Sequence, residues 1–331
     1  MKMQTPRKDG RKIPASRKGV ALLVTLWLTF ILTALVLSFS YMARTEAHSM
    51  ASFKSGTEHK YLAEAGMQWA IMEIAYRNLY KSRNVVMEGR EAFQADGTAY
   101  TGRLGDGFYQ VRIFDESGKL DINEMTDASG ILLNNLLVRL GVEKDTADTI
   151  VDSILDWKDN DDFRRLHGAE SDYYRTLPVP YSAKNAKFDT LEELLHVKGV
   201  TPEILFGKGF RKGLARFLTV HSGKSAVNID AAPKEMLLAI SGMTEEVAEG
   251  IIRDRQSGAT EQVGAVHVLL AKNNPLIAPY IGTGGSNTYT IESLGYMCDE
   301  KSGFGIRATV VVVDPNTFRY VYYRSPARVM P

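Results

Sequence analysis

The alternation of apolar and polar positions divides the chain into four zones. From Val20 to Ala43 runs a stretch of 24 residues with no charged side chain. As a helix rising about 1.5 Å per residue it reaches roughly 36 Å, enough to cross a hydrocarbon core of about 30 Å. From Arg44 to about Tyr80 there is no proline, and only Gly56 and Gly66 weaken a continuing helix. Here Tyr61, Ala65, Trp69, Met72 and Tyr76 recur at spacings of three and four, which predicts one apolar face packed on the protein's own sheet. A turn at Gly102–Gly107 then leads into Phe108–Phe114, rich in aromatic and β-branched residues and read as a strand.

The third zone, from about Lys119 to Thr283, carries helical periodicity at Ile131–Leu140, Thr146–Trp157, Leu191–Val197, Pro233–Ile240, Glu246–Arg255 and Val263–Leu270. The last zone returns to strands at Tyr289–Tyr296, Phe304–Val313 and Phe318–Tyr323, with a turn at Asp314-Pro315-Asn316. This order predicts an α+β fold, a long N-terminal helix with an antiparallel sheet interrupted by a large, mostly helical insertion. Strands on either side of the insertion should pair in space.

Charge gives the apolar run a direction. Lys2, Arg7, Lys8, Arg11, Lys12, Arg17 and Lys18 precede it, opposed by Asp9 alone. Basic residues stay cytoplasmic, so the chain after Ala43 is expected on the far side of the membrane. A cleaved secretory signal has an apolar core of about 7–15 residues and small residues at its cut site; this core is longer, and Tyr41 and Met42 are bulky. A plain anchor and a processed leader stay open. The junction Arg17-Lys18-Gly19 followed at once by Val20-Ala21-Leu22-Leu23 resembles a type IV prepilin leader. That resemblance implies cleavage between Gly19 and Val20 by a prepilin peptidase. It also implies a glutamate at the fifth mature residue, where this chain has Val24. A carboxylate in lipid is costly unless paired, and a subunit without one has none to offer upward, which suits the leading end of a filament.

The 331 residues, with 44% hydrophobic and 24% charged side chains, are those of an ordinary globular chain. A net charge of +1 argues against a general polyanion binder, and the single Cys298 excludes an internal disulfide. The six histidines show no metal-ligand spacing, and no nucleophile-and-base motif supports an anchored enzyme.

Ser117-Gly118-Lys119-Leu120-Asp121-Ile122-Asn123 recurs approximately at Ser222–Asp230. Each copy precedes a helix, a glycine-containing turn and a second helix. With Lys198-Gly199-Val200-Thr201 and Ser241-Gly242-Met243-Thr244, these units resemble helix-hairpin-helix or SAM-like modules, whose DNA-binding forms hold a phosphate on backbone N–H groups. Here Thr201 and Thr244 replace the second glycine, and Glu245, Glu246 and Glu249 follow Gly242. Those acids suit a helix N-terminus but repel phosphate. A membrane-anchored DNA-uptake protein is therefore the rival reading, and no nucleic acid is expected.

The densest acidic cluster is Asp156-Trp157-Lys158-Asp159-Asn160-Asp161-Asp162, followed by Phe163–Glu170. Asp159, Asp161 and Glu170 fall at the first, third and twelfth places of an EF-hand loop, but Arg164 takes the glycine place. Crowded carboxylates need a counter-charge. Two readings stay open: Ca2+ held by Asp159, Asp161, Asp162 and Glu170, or local pairing with Arg164 and Arg165.

This run continues with Arg165-Leu166-His167-Gly168-Ala169-Glu170, the pair Tyr173-Tyr174, and Asn185-Ala186-Lys187-Phe188-Asp189-Thr190-Leu191-Glu192-Glu193-Leu194. Together these segments resemble the signature of the type II secretion K pseudopilins. The resemblance implies a non-catalytic minor pseudopilin that starts or caps a periplasmic pseudopilus. It implies a single-pass anchor in the bacterial inner membrane and other minor pseudopilins as partners in a hetero-oligomeric tip complex. The contact helix would carry Val24, Tyr61, Ala65 and Trp69. The expected divisions are a leader at 1–19, the membrane segment at 20–43, the periplasmic helix and first strands at 44–118, the inserted helical domain at 119–283 and the closing strands at 284–331.

Overall fold

The computed structural model describes residues 17–80, 94–209, 211–256, 260–273, 275, 278–297, 303–314 and 317–329. The leader before Arg17, Cys298 and the Pro315-Asn316 turn lie outside the described residues. Helix α1 runs unbroken over Arg17–Tyr80. Its apolar segment is long enough to cross a bilayer. Within that segment Thr25, Thr29 and Thr33 return their hydroxyls to the carbonyls of Leu22, Leu26 and Thr29 at 2.9, 2.8 and 2.7 Å, so each polar group is satisfied inside the helix.

Five antiparallel strands form one sheet in sequence order: β1 (Asp96–Leu104), β2 (Gly107–Asp115), β3 (Thr288–Met297), β4 (Phe304–Asp314) and β5 (Thr317–Arg324). β2 and β3 pair directly, Ile113 opposite Ile291 and Val111 opposite Ser293, so strands on either side of the long helical block are neighbours. β1 is an additional strand at the sheet edge. Its Asp96-Gly97-Thr98 start carries a register shift, and its side chains are half-buried or exposed, so it shows little of the apolar alternation that marks β2.

The apolar face of α1 is not the one its large residues suggest. Tyr61 and Met72 are 64% and 70% exposed, and Ala65, Trp69 and Tyr76 are half-buried. The sheet is met by Leu62, Ala63, Gly66, Met67, Ala70, Ile71 and Ile74, on the opposite side of the helix. The reason is close approach. A Cβ on Gly295 of β3 would sit 2.1 Å from the His59 carbonyl oxygen and 2.4 Å from the Ala63 nitrogen. One on Gly66 would sit 2.4 Å from Ser293 Oγ. Small residues let helix and sheet backbones meet, and the bulky stripe is left facing outward. Ala63, Met67, Ala70, Ile71 and Ile74 join Val111, Ile113, Ile291, Ile306, Ala308 and Val310 in one hydrophobic cluster.

A second hydrophobic cluster is built wholly between Leu120 and Ile281. Its helices are α2 (Gly130–Arg139), α3 (Lys144–Lys158), α4 (Ser171–Tyr174), α5 (Pro202–Phe206), α6 (Lys234–Ala239), α7 (Glu245–Gln256) and α8 (Thr260–Asn273), with a 3-10 turn at Leu191–His196. The two copies of the sequence repeat hold each other. Leu120 and Asp121 pair in parallel with Leu218 and Thr219. Asp121 accepts from Ser222 Oγ at 3.0 Å and the Gly223 N–H at 2.8 Å, and Asn228 Nδ2 donates to Ser117 Oγ at 3.1 Å.

Candidate cation site and contact face

The acidic site is assembled where α3 ends. Asp156 lies in the last turn of α3 and is fully buried, Asp159 caps the helix, and Glu170 precedes α4 with 2% of its surface exposed. A loop folds back between them because Gly168 has no side chain; a Cβ there would stand 1.9 Å from an Asp156 carboxylate oxygen. One carboxylate oxygen from each of Asp156, Asp159 and Glu170 lies within 4.8 Å of the others. Arg165 binds this group from one side. Its Nη1 donates to Asp156 Oδ1 at 2.8 Å and to Asp159 Oδ2 at 2.6 Å, while Nε donates to Asp127 Oδ1 at 2.8 Å.

The remaining oxygens are orphaned. Neither Oε1 nor Oε2 of Glu170 has a hydrogen-bond partner, nor does Asp159 Oδ1 or Asn185 Oδ1, and all four atoms are buried. Asn185 has a left-handed backbone, φ 49°, and its N–H donates to the Trp157 carbonyl at 2.9 Å. Burial first, then the nearby carboxylates of Asp156 and Asp159, pushes the Glu170 carboxyl up to about 7. Buried oxygens left without donors, all of the hard type that calcium prefers, fit a divalent cation.

Of the four acids singled out in the sequence, the structure brings Asp159 and Glu170 together. Asp161 and Asp162 stay exposed outside the group; Asp161 instead accepts from the Phe163 N–H at 2.8 Å. Asp156 completes the cluster. The spacing Asp156-x-x-Asp159 at a helix end is the sequence signal for it. Arg165 does the pairing, and Arg164 is exposed.

The residues expected to contact other subunits divide. Val24 and Tyr61 are exposed. Ala65 is half-buried, and Trp69 turns sideways so that its ring meets Tyr100 and Tyr109 at 6.1 and 6.4 Å. At the expected cleavage junction, Gly19 and Val20 lie inside α1.

Residues 118–207 match the family model for type II secretion system protein K. The type II secretion system protein K of Pectobacterium carotovorum subsp. carotovorum is 24% identical over 262 residues, 72% of this chain and 75% of its own length. The counterpart in Escherichia coli strain K12 is 23% identical over 195 residues, 57% of this chain and 59% of its own. The fold resembles that in the crystal structure of the GspK-GspI-GspJ complex of enterotoxigenic Escherichia coli, with a TM-score of 0.58 at 16% identity, covering 86% of this chain and 100% of that one. The matched segment contains the whole acidic site and the Gly168-Ala169-Glu170 turn that closes it, and over most of its length the chain is similar to the K proteins of type II secretion.

Proposed function

We propose that this chain is a minor pseudopilin that starts or caps a periplasmic pseudopilus, as a structural part with no catalysis of its own. The observation that carries the reading is the outward face of α1. Tyr61, Ala65 and Met72 follow at helical spacing on the side away from the sheet, and Tyr61 and Met72 are mostly exposed. A row of this kind is what a neighbouring helix fills with anchors at i, i+3, i+4 and i+7. The partners are two other minor pseudopilins, of the kind named with GspK in the complex of similar fold. The anchor crosses the inner membrane once with its N-terminus cytoplasmic. Prepilin peptidase cuts between Gly19 and Val20, and Val24 leaves the mature helix without a carboxylate to offer upward.

Residues 119–283 act as an inserted domain of helix-hairpin-helix or SAM-like units that blocks further stacking. Gly141, Gly199 and Gly242 occupy the turns of three such units with φ of 85°, 87° and 87°, a left-handed conformation natural to glycine. The DNA-binding alternative is disfavoured, since Lys234, the cation beside the Gly242 turn, is engaged by Glu245 and Glu249 at 2.9 and 2.8 Å. Calcium is the proposed ion of the acidic site, held by Asp156, Asp159 and Glu170. It would supply the positive charge that orders the loop. Photocrosslinkers at positions 61 and 72, in cells making the complete secretion system, test the function. Adducts with other minor pseudopilins are expected; their absence at both positions, with secretion intact, would contradict it.

A further inference from the structure

Arg165 satisfies only part of the acidic site. It takes Asp159 Oδ2 at 2.6 Å and leaves Asp159 Oδ1 without a partner. It takes Asp156 Oδ1 at 2.8 Å, and its own backbone N–H reaches Asp156 Oδ2 at 3.2 Å. Glu170 receives nothing from it. Its Nε is held on the far side by Asp127, whose side chain is 74% exposed. The guanidinium therefore sits on the outer rim, fixed at both ends, while the inner oxygens stay free. The guanidinium supplies one positive charge beside the three lining carboxylates, and Asp127 adds a further carboxylate on its outer side. Asp127 is well solvated, and its charge is correspondingly screened.

We propose that Arg165 is the charge-setting and positioning residue of the cation site, aligning Asp156 and Asp159 and offsetting part of the site's negative charge, so that it favours a trivalent over a divalent ion less than its carboxylates alone would. The proposal rests on the calcium reading above. Affinity at oxygen sites follows the count of ligand charge. A cation held a few ångströms from the fork feels the arginine in proportion to its own charge. Removing the arginine must therefore favour Tb3+ more than Ca2+, whatever it does to affinity overall.

The test is titration of the full-length protein in detergent with Tb3+, read by luminescence sensitised through Trp157, and displacement by Ca2+. Arg165→Gln should raise the ratio of Tb3+ to Ca2+ affinity by about tenfold or more. Arg165→Lys keeps the charge but loses the fork, so it should weaken both ions and leave the ratio near that of the unmodified protein. An unchanged ratio in Arg165→Gln would overturn the proposal. So would a lysine variant whose ratio moves like that expected for glutamine, and this arm stands even if the glutamine variant does not fold. An unmodified protein that binds neither ion would instead sink the calcium reading, and the role of Arg165 with it.

Discussion

Asp115 and Ser286, 171 positions apart, are joined by a hydrogen bond of 2.8 Å from the serine Oγ. The same carboxylate oxygen accepts from the Ser286 N–H at 3.2 Å and from the N–H and Oγ of Ser117 at 2.9 and 2.7 Å. One buried acid thus ties the strand that leaves the sheet to the segment that returns to it. The helical block can be large because its two ends are stapled together at this point.

Asp115→Ala would leave three donors without their acceptor in a buried place, since the Ser286 hydroxyl keeps the Thr288 carbonyl at 2.8 Å. Each orphaned donor costs about 1–3 kcal/mol when nothing replaces its partner. Some relaxation is available to the serine hydroxyls, so a loss of about 2–4 kcal/mol is expected. Denaturant unfolding of the purified protein measures it, and a loss within about 0.5 kcal/mol would show that the staple is dispensable.

Close packing of α1 on β3 gives a second expectation. Gly295→Val would drive a branched side chain into the His59 carbonyl and the Ala63 nitrogen, and backbone atoms cannot rotate aside. Overpacking typically costs about 1–3 kcal/mol and sometimes more; this position should lie at or above the upper end. Thermal unfolding of the variant checks it, with Gly56→Val, where no atom lies within 4 Å of the added Cβ, as the mild comparison.

These two sites show what was legible in the sequence. The long helix, the strands β2 to β5 and most helices of the insertion follow from periods of 2 and 3.6 residues, which any window reveals. On α1, periodicity finds a stripe of large side chains, whereas contact depends on the small residues Ala63, Gly66 and Ala70 and on a distant Gly295. In the acidic site, composition marks the right segment, yet the members differ. Asp161 and Asp162 are neighbours in sequence but face water, whereas the buried third member is Asp156, in the last turn of α3.

The neck between sheet and insertion holds a buried ion pair, Glu116 with Lys119, both within a few percent of full burial. Burial pushes the Glu116 carboxyl up, but Lys119 outweighs it with charge and hydrogen bond and holds it below its ordinary value of 4.5. A carboxylate with a lowered folded pKa stabilises the protein above about pH 4.5, and that stability is lost as pH falls through the lower folded value. Glu116→Gln leaves the ammonium buried without its counter-charge and should cost about 3–5 kcal/mol at neutral pH. The gap between variant and unmodified protein should narrow as the solution is acidified below 4.5. A gap independent of pH would mean that the pair contributes by shape alone.

Calcium should raise the melting temperature of the protein relative to chelator. Binding to the folded form alone adds about 2.7 kcal/mol at a hundredfold excess over Kd. Glu170→Gln keeps the shape of the side chain but removes a lining charge, so most of that shift should vanish. Asp161→Asn, at an exposed position outside the cluster, should retain it. Equal melting curves with calcium and with chelator would leave Arg165 as the only counter-charge the site uses.

The central claim is the place of this subunit at the end of a filament, and labelling the insertion tests it most directly. A single gold-binding tag at the exposed Gly223 turn, imaged on pseudopili assembled with all partner subunits, reads out position. The account predicts one label at one end of each filament and none between. Labels spaced along the filament, or long filaments formed by this protein alone, would contradict it.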